Sequence, residues 1–234
     1  MKKSIVAVCM AVFMAFVTAT ALCVRALVAP QAVFSEGENL RVVVDAGHGG
    51  IDGGVSGSQT GVKESDLNLS IAMYLKDGLE EIGFAVTLTR KTEAGLYGAP
   101  TKGFKKRDMQ RRKEIIEETK PCMVISLHQN YYPSKSSRGA QVFYNQKDEN
   151  GKALAVHVQK RLNELYAGEK VKARNATFGD YYMVQCAPYP SIIVECGFLS
   201  SPSDEKLLCT AVWQKKLAQT ILSGVVAYFS GATA

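Results

Sequence analysis

The chain is short of the residues that most often advertise a chemistry. Three histidines and one tryptophan occur in 234 residues, and none of the six cysteines stands in a CxxC pair. That excludes a zinc ribbon and a thioredoxin-like redox motif. Neither sign of charge dominates. The formal net charge is +6, and since Lys2, Lys3 and Arg25 lie in an N-terminal stretch without acidic residues, +3 remains on the rest. So small a balance gives no reason to expect a nucleic-acid partner. No segment repeats at a fixed period and no low-complexity tract interrupts the chain, which excludes solenoids and disordered arms. What is present, 47% hydrophobic and 21% charged residues, suits one globular domain with a substantial core.

Lys2 and Lys3 precede an uncharged apolar run from Ser4 to Val24 that Arg25 closes. A run of roughly 20 apolar residues is long enough to cross a bilayer and longer than the apolar region of most cleaved signals. Residues 1–25 are therefore expected to direct export and to remain as a membrane anchor, with cleavage near Ala29 to Ala32 as the alternative. Residues 26–39 read as a linker and 40–230 as the single folded domain, outside the cytoplasm. Cys9 and Cys23 fall in the leader. The other four, Cys122, Cys186, Cys196 and Cys209, are expected as free thiols. If any bridge forms, Cys186 to Cys196 is the candidate, across a turn at Pro188 to Pro190.

Hydrophobic patterning predicts an α/β fold, a single domain with a mostly parallel mixed sheet of about six strands and helices on both faces. Leu40–Asp45 is a buried strand, followed by the glycine-rich stretch 47–57. Leu67, Ile71, Leu75, Leu79 and Ile82 recur at helical spacing before the stop at Gly83. Further strands are predicted at 84–89, 122–127, 139–144, 181–185 and 191–195. Further helices are predicted over 106–119, 153–165 and 211–229. Lys102, Lys105, Lys106, Arg107, Arg111, Arg112 and Lys113 read as a solvated helix face with its preceding loop, or as a patch facing an anionic polymer.

Two histidines stand just past strand ends, where ligand sites in such sheets gather. His48 lies in Asp45-Ala46-Gly47-His48-Gly49-Gly50, whose glycines leave room for a metal and a substrate. His128 lies in Ser126-Leu127-His128-Gln129-Asn130. Glu195 ends a buried strand, so it must be paired or functional. Glu64 opens a helix, where a carboxylate by itself is an ordinary complement to the macrodipole. His157 sits inside an amphipathic helix and reads as structural. Two imidazoles and a carboxylate can hold zinc with one position open, and a second carboxylate can then take a proton from water.

The blocks Val44 to Gly50, Glu64, Ile125 to Asn130 and Ile193 to Ser200 resemble the zinc-dependent N-acetylmuramoyl-L-alanine amidases over about residues 40–230. Thr101-Lys102-Gly103-Phe104, Tyr132-Pro133-Ser134 and Gly139 to Tyr144 are similar to the sporulation-type members that prepare spore cortex for germination. The resemblance implies Zn2+ bound by His48, Glu64 and His128, with Glu195 as the catalytic carboxylate. It implies hydrolysis of the amide between the lactyl group of N-acetylmuramic acid and L-alanine, on peptidoglycan glycan strands bearing stem peptides. Cys196 and Glu117 depart from the family pattern, and Cys196 is expected to point away from Glu195. A substrate groove is expected near the loops 95–105 and 129–139, with Tyr131 and Tyr132 either stacking on sugar or packing the loop. Alternatives are a zinc peptidase acting on stem-peptide bonds, a non-catalytic wall-binding domain, or an enzyme that needs an accessory protein partner to hold its metal.

Overall fold

A computed structural model of the chain describes residues 40–231 together with Met10 and Met14. By its internal contacts the chain divides into two units, Met1–Val33 and Phe34–Ala234. Apart from Met10 and Met14, the expected leader and linker lie outside the described residues. Among those described, no helix is long and apolar enough to cross a membrane.

Six strands form one sheet: β1 (Arg41–Ala46), β2 (Ala85–Leu88), β3 (Met123–Asn130), β4 (Gln141–Tyr144), β5 (Thr177–Phe178) and β6 (Ser191–Phe198), in the order β2-β1-β3-β6-β4-β5. The pairs β1 with β2, β1 with β3, β3 with β6, and β4 with β5 are parallel, and β4 runs antiparallel to β6. The described helices are α1 (Glu64–Glu81), α2 (Phe104–Thr119), α3 (Glu149–Ala167), α4 (Pro202–Leu208) and α5 (Ala211–Phe229).

Two structural corrections concern short elements. The segment expected as a strand over 181–185 is a 3-10 turn at Tyr182–Val184, and the remaining strand is Thr177–Phe178. Side chains 183 and 184 are both buried against the same small cluster, which the alternating faces of a strand would not allow. All four described cysteines are free thiols.

The period-two alternation of the strands sorts their side chains onto two unequal faces. Val42, Val44, Met123, Ile125, Leu127, Ile192, Val194 and Cys196 join the large core together with α1, α3 and α5. Val43, Val124 and Ile193 face the other way, into a small cluster with Ile116 of α2 and Met183 and Val184. Continuing that second face toward the carboxyl ends of the strands gives Asp45, Ser126, His128 and Glu195. The large core therefore carries the burial, and the thin face leaves space for a site.

Candidate metal centre

The corner where β1, β3 and β6 end gathers the four sequence-predicted residues from far apart in the chain. His48 lies in the turn after β1, Glu64 is the first residue of α1, His128 is near the end of β3, and Glu195 is in β6. His128 and Glu195 occupy paired positions on adjacent parallel strands. One donor atom each from His48, Glu64 and His128 lies within 4.8 Å of the others. His48 Nε2 stands 3.2 Å and His128 Nδ1 2.8 Å from Glu64 Oε1.

Backbone shape makes this approach possible. His48 itself has a φ of 61°, a left-handed conformation uncommon for a residue with a β-carbon. A β-carbon on Gly47 would overlap the His128 ring, and one on Gly54 would overlap the Glu64 carboxylate. Gly54 also has a φ of 68°, which side-chain-bearing residues rarely adopt.

The carboxylate is held as an anion. Glu64 is buried, and burial alone would raise its pKa, but the hydrogen bonds and charges of His128 and His48 hold it far below the usual carboxylate range. Its Oε2 accepts from Val55 N at 2.9 Å, and its Oε1 accepts from Gln129 N at 3.1 Å. Asn68, one turn along α1, reaches both Glu64 Oε1 at 3.4 Å and the Gly47 carbonyl at 3.2 Å. Burial lowers the pKa of His48, yet Glu64 and Asp52 together raise it, so the imidazole sits in an anionic surrounding that a cation also satisfies.

Glu195 has the opposite environment. Burial pushes its pKa up to about 7, against the pull of His128, and its buried Oε2 has no hydrogen-bond partner. Both imidazoles and Glu195 line one cleft of about 370 Å³, together with Met109, Tyr181, Tyr182, Met183, Ile193, Lys105 and Asp52. These residues fit a zinc ion. The donor set is two nitrogens and one oxygen in a cradle kept open by glycine, and Glu195, with an unmatched oxygen, lines the same cleft as the two imidazoles.

The stretch 42–227 matches the family model described as N-acetylmuramoyl-L-alanine amidase. The chain belongs to this family. This amidase is 33% identical over 192 residues to the germination-specific N-acetylmuramoyl-L-alanine amidase of Bacillus subtilis (strain 168), covering 81% of the chain and 79% of the relative. Among solved structures, the CwlD amidase from Clostridioides difficile, in complex with the GerS lipoprotein, superposes with a TM-score of 0.78 at 33% identity, over 82% of this chain and 100% of that one. The catalytic domain of CwlV, from Bacillus (Paenibacillus) polymyxa var. colistinus, gives 0.70 at 26% identity, over 82% and 98%.

Several residues of the amidase's site were not legible as such in its sequence. Arg112 is the clearest correction: expected on a solvated helix face, it is fully buried. Its guanidinium donates to Asp45 Oδ1, to Asp108 Oδ2 at 2.6 Å, and to the carbonyls of Ala46 at 2.9 Å and His48 at 2.7 Å. Arg90 adds bonds to the carbonyls of Gly47 at 3.0 Å and Ser65 at 2.8 Å. Two arginines thus fix the loop that carries His48, while Asp45 accepts further from Ser126 and Thr89. Asp52 bonds His48 Nδ1 at 3.1 Å, orienting the ring so that Nε2 faces Glu64. Its place four residues after His48 in the glycine-rich stretch was the one available signal.

The lining of the cleft meets the expectation only in part, because Lys105 of the segment 95–105 lines it. Tyr181 and Tyr182 line the cleft, whereas none of residues 129–139 does. Tyr131 and Tyr132 are 54% and 57% exposed and do not line the cleft. Cys196 is buried in the large core, on the opposite side of β6 from Glu195, as the strand alternation requires.

Proposed function

We propose that this amidase hydrolyses the amide joining the lactyl group of N-acetylmuramic acid to L-alanine, with a zinc ion held by His48, Glu64 and His128 and with Glu195 as general base and acid. Zinc bound there supplies Lewis-acid polarisation of the scissile carbonyl and acidifies water. The observation that carries the reading is Glu195: a carboxylate with a raised pKa and an unmatched buried oxygen, paired in register with His128. Such a group takes a proton from the attacking water and returns it to the leaving amine of L-alanine. His48 and His128 orient the reacting carbonyl's surroundings, and the apolar wall of Met109, Met183 and Ile193 limits bulk water. The products are a free lactyl carboxylate on the glycan and a stem peptide with a free amino end.

Action on spore cortex is part of the proposal, supported by the germination-specific relative and the CwlD likeness. An accessory protein partner is supported by the complex that CwlD forms with the GerS lipoprotein. Export and membrane anchoring rest on Lys2, Lys3 and the apolar run that follows. Digestion of vegetative and cortex peptidoglycan by the zinc-loaded chain tests the reading. Fragments carrying a free lactyl carboxylate support it. Cleavage only within the stem peptide identifies a peptidase, and glycan retention without cleavage identifies a binding domain.

A further inference from the structure

The described surface carries a second concavity, of about 400 Å³, bounded by Ser136, Ser137, Arg138, Lys170, Lys172 and Arg174. It shares no lining residue with the cleft above His48. Four of its lining side chains are cationic and none is acidic.

Two of these cations are held in place. Arg138 donates from Nε to Asp204 Oδ1 at 3.0 Å and from Nη1 to the Glu169 carbonyl at 3.3 Å. Asp204 is itself fully buried and accepts from the backbone of Gly139 at 2.7 Å and of Phe198 at 3.2 Å. Arg174 donates from Nη2 to the Arg138 carbonyl at 3.1 Å, and its guanidinium lies 5.3 Å from the Phe198 ring centroid. Its Nε is buried and has no hydrogen-bond partner. A buried donor on a charged group is costly to leave unmatched, so Arg174 stands at the cleft with hydrogen-bonding capacity that the protein does not use. Lys170, which also lines the cleft, has a left-handed backbone φ of 58°.

We infer that this cleft binds a phosphate group, either as free phosphate or within the phosphodiester chain of an anionic polymer. Asp204 offsets only one of the four positive charges, so a surplus of about three remains, which suits a dianion or a polyanion better than a single carboxylate. Planar guanidinium groups already fixed by hydrogen bonds lose little freedom on binding, and the lysines at the edge contribute long-range attraction. The Ser136 and Ser137 hydroxyls add neutral donors suited to a tetrahedral oxyanion.

The test is equilibrium dialysis of the zinc-loaded full chain against labelled inorganic phosphate and, in a second arm, against a phosphodiester-linked glycerol-phosphate oligomer. The unaltered chain is compared with the K170Q/K172Q double variant, whose two substitutions fall on exposed side chains. Saturable binding that weakens with salt and falls at least about tenfold in the double variant is the expected result. Tighter binding of the oligomer than of phosphate identifies the polymer as the source, and equal affinity identifies free phosphate. Absence of binding in both arms overturns the inference. So does binding that the double variant leaves undiminished, because the anion would then sit elsewhere, including at the metal. The metal cluster shares no residue with this cleft, so either result leaves the amidase reading intact.

Discussion

His128 and Glu195 stand opposite one another on neighbouring parallel strands, at directly paired positions of β3 and β6. Their side chains therefore share one face of the sheet, with an imidazole of the candidate metal cluster and a high-pKa carboxylate side by side at the strand ends. The division of labour follows from their surroundings. Glu64 is stripped of its proton by two histidines, while Glu195 is left with an unmatched oxygen in an apolar wall.

Replacing Glu195 with Gln keeps the shape of the side chain but removes its basicity. Turnover on muropeptide is expected to fall by about 10²–10⁴-fold with zinc content unchanged. Metal analysis beside product mass measures both. Undiminished turnover would remove Glu195 from the chemistry.

Asp52 stands 3.1 Å from His48 Nδ1, on the side of the ring away from the nitrogen that faces Glu64, so under the proposed function it would act on a metal through His48. The D52A variant is expected to bind zinc about 10–100-fold more weakly, by competition with a chromophoric chelator. D52N keeps an acceptor for the imidazole N–H and is expected to recover part of that loss. Equal losses in the two variants would mean that charge, not orientation, is what Asp52 contributes.

Arg112 and Asp45 form a buried ion pair with almost no exposure on either side chain. R112M leaves Asp45 as an uncompensated buried charge, and the expected cost is about 3–5 kcal/mol in urea unfolding. Adding D45N removes that charge, and the double variant is expected to be more stable than R112M alone. Additive losses would show that the guanidinium matters for its bonds to the His48 loop rather than for pairing with Asp45.

The pH dependence of the metal-free chain follows from Glu195. Its folded pKa, about 7, lies above the ordinary 4.5, so the folded state binds the proton more tightly than the unfolded state does. This group therefore costs no stability below pH 4.5 and a growing amount as pH rises toward 7, where the cost becomes complete. In chelator, the Tm of E195Q relative to the unaltered chain is expected to climb across that window. A difference that stays flat with pH would mean that Glu195 is not held in an unfavourable site. In the zinc-loaded enzyme the cation favours the carboxylate, so the acid limb of activity is expected below 7.

Most of the scaffold was legible because its signals are local. The valines of β1, the helical spacing from Leu67 to Leu79, and the last helix over Ala211–Phe229 follow from side-chain periods within one segment. The 3-10 turn at Tyr182–Val184 was misread because a short apolar run has too little length to separate a strand from a turn. Arg112 was misread for a related reason. On a helix rich in lysine and arginine, nothing in the sequence distinguishes the one cation that meets a buried Asp45 from those that meet water.

By itself the sequence determined the alternation of strands and helices, the glycine-rich turn around His48, and which residues to propose as metal donors and base. These are properties of residue type and near-neighbour spacing. Only the tertiary structure decided that Glu64, at a helix start, meets two histidines from different strand ends, that Asp52 turns His48, and that Tyr181 and Tyr182 rather than Tyr131 and Tyr132 wall the cleft. The physical reason is that parallel pairing sets which distant residues share a register and a face. That pairing depends on the packing of the whole sheet between its helices.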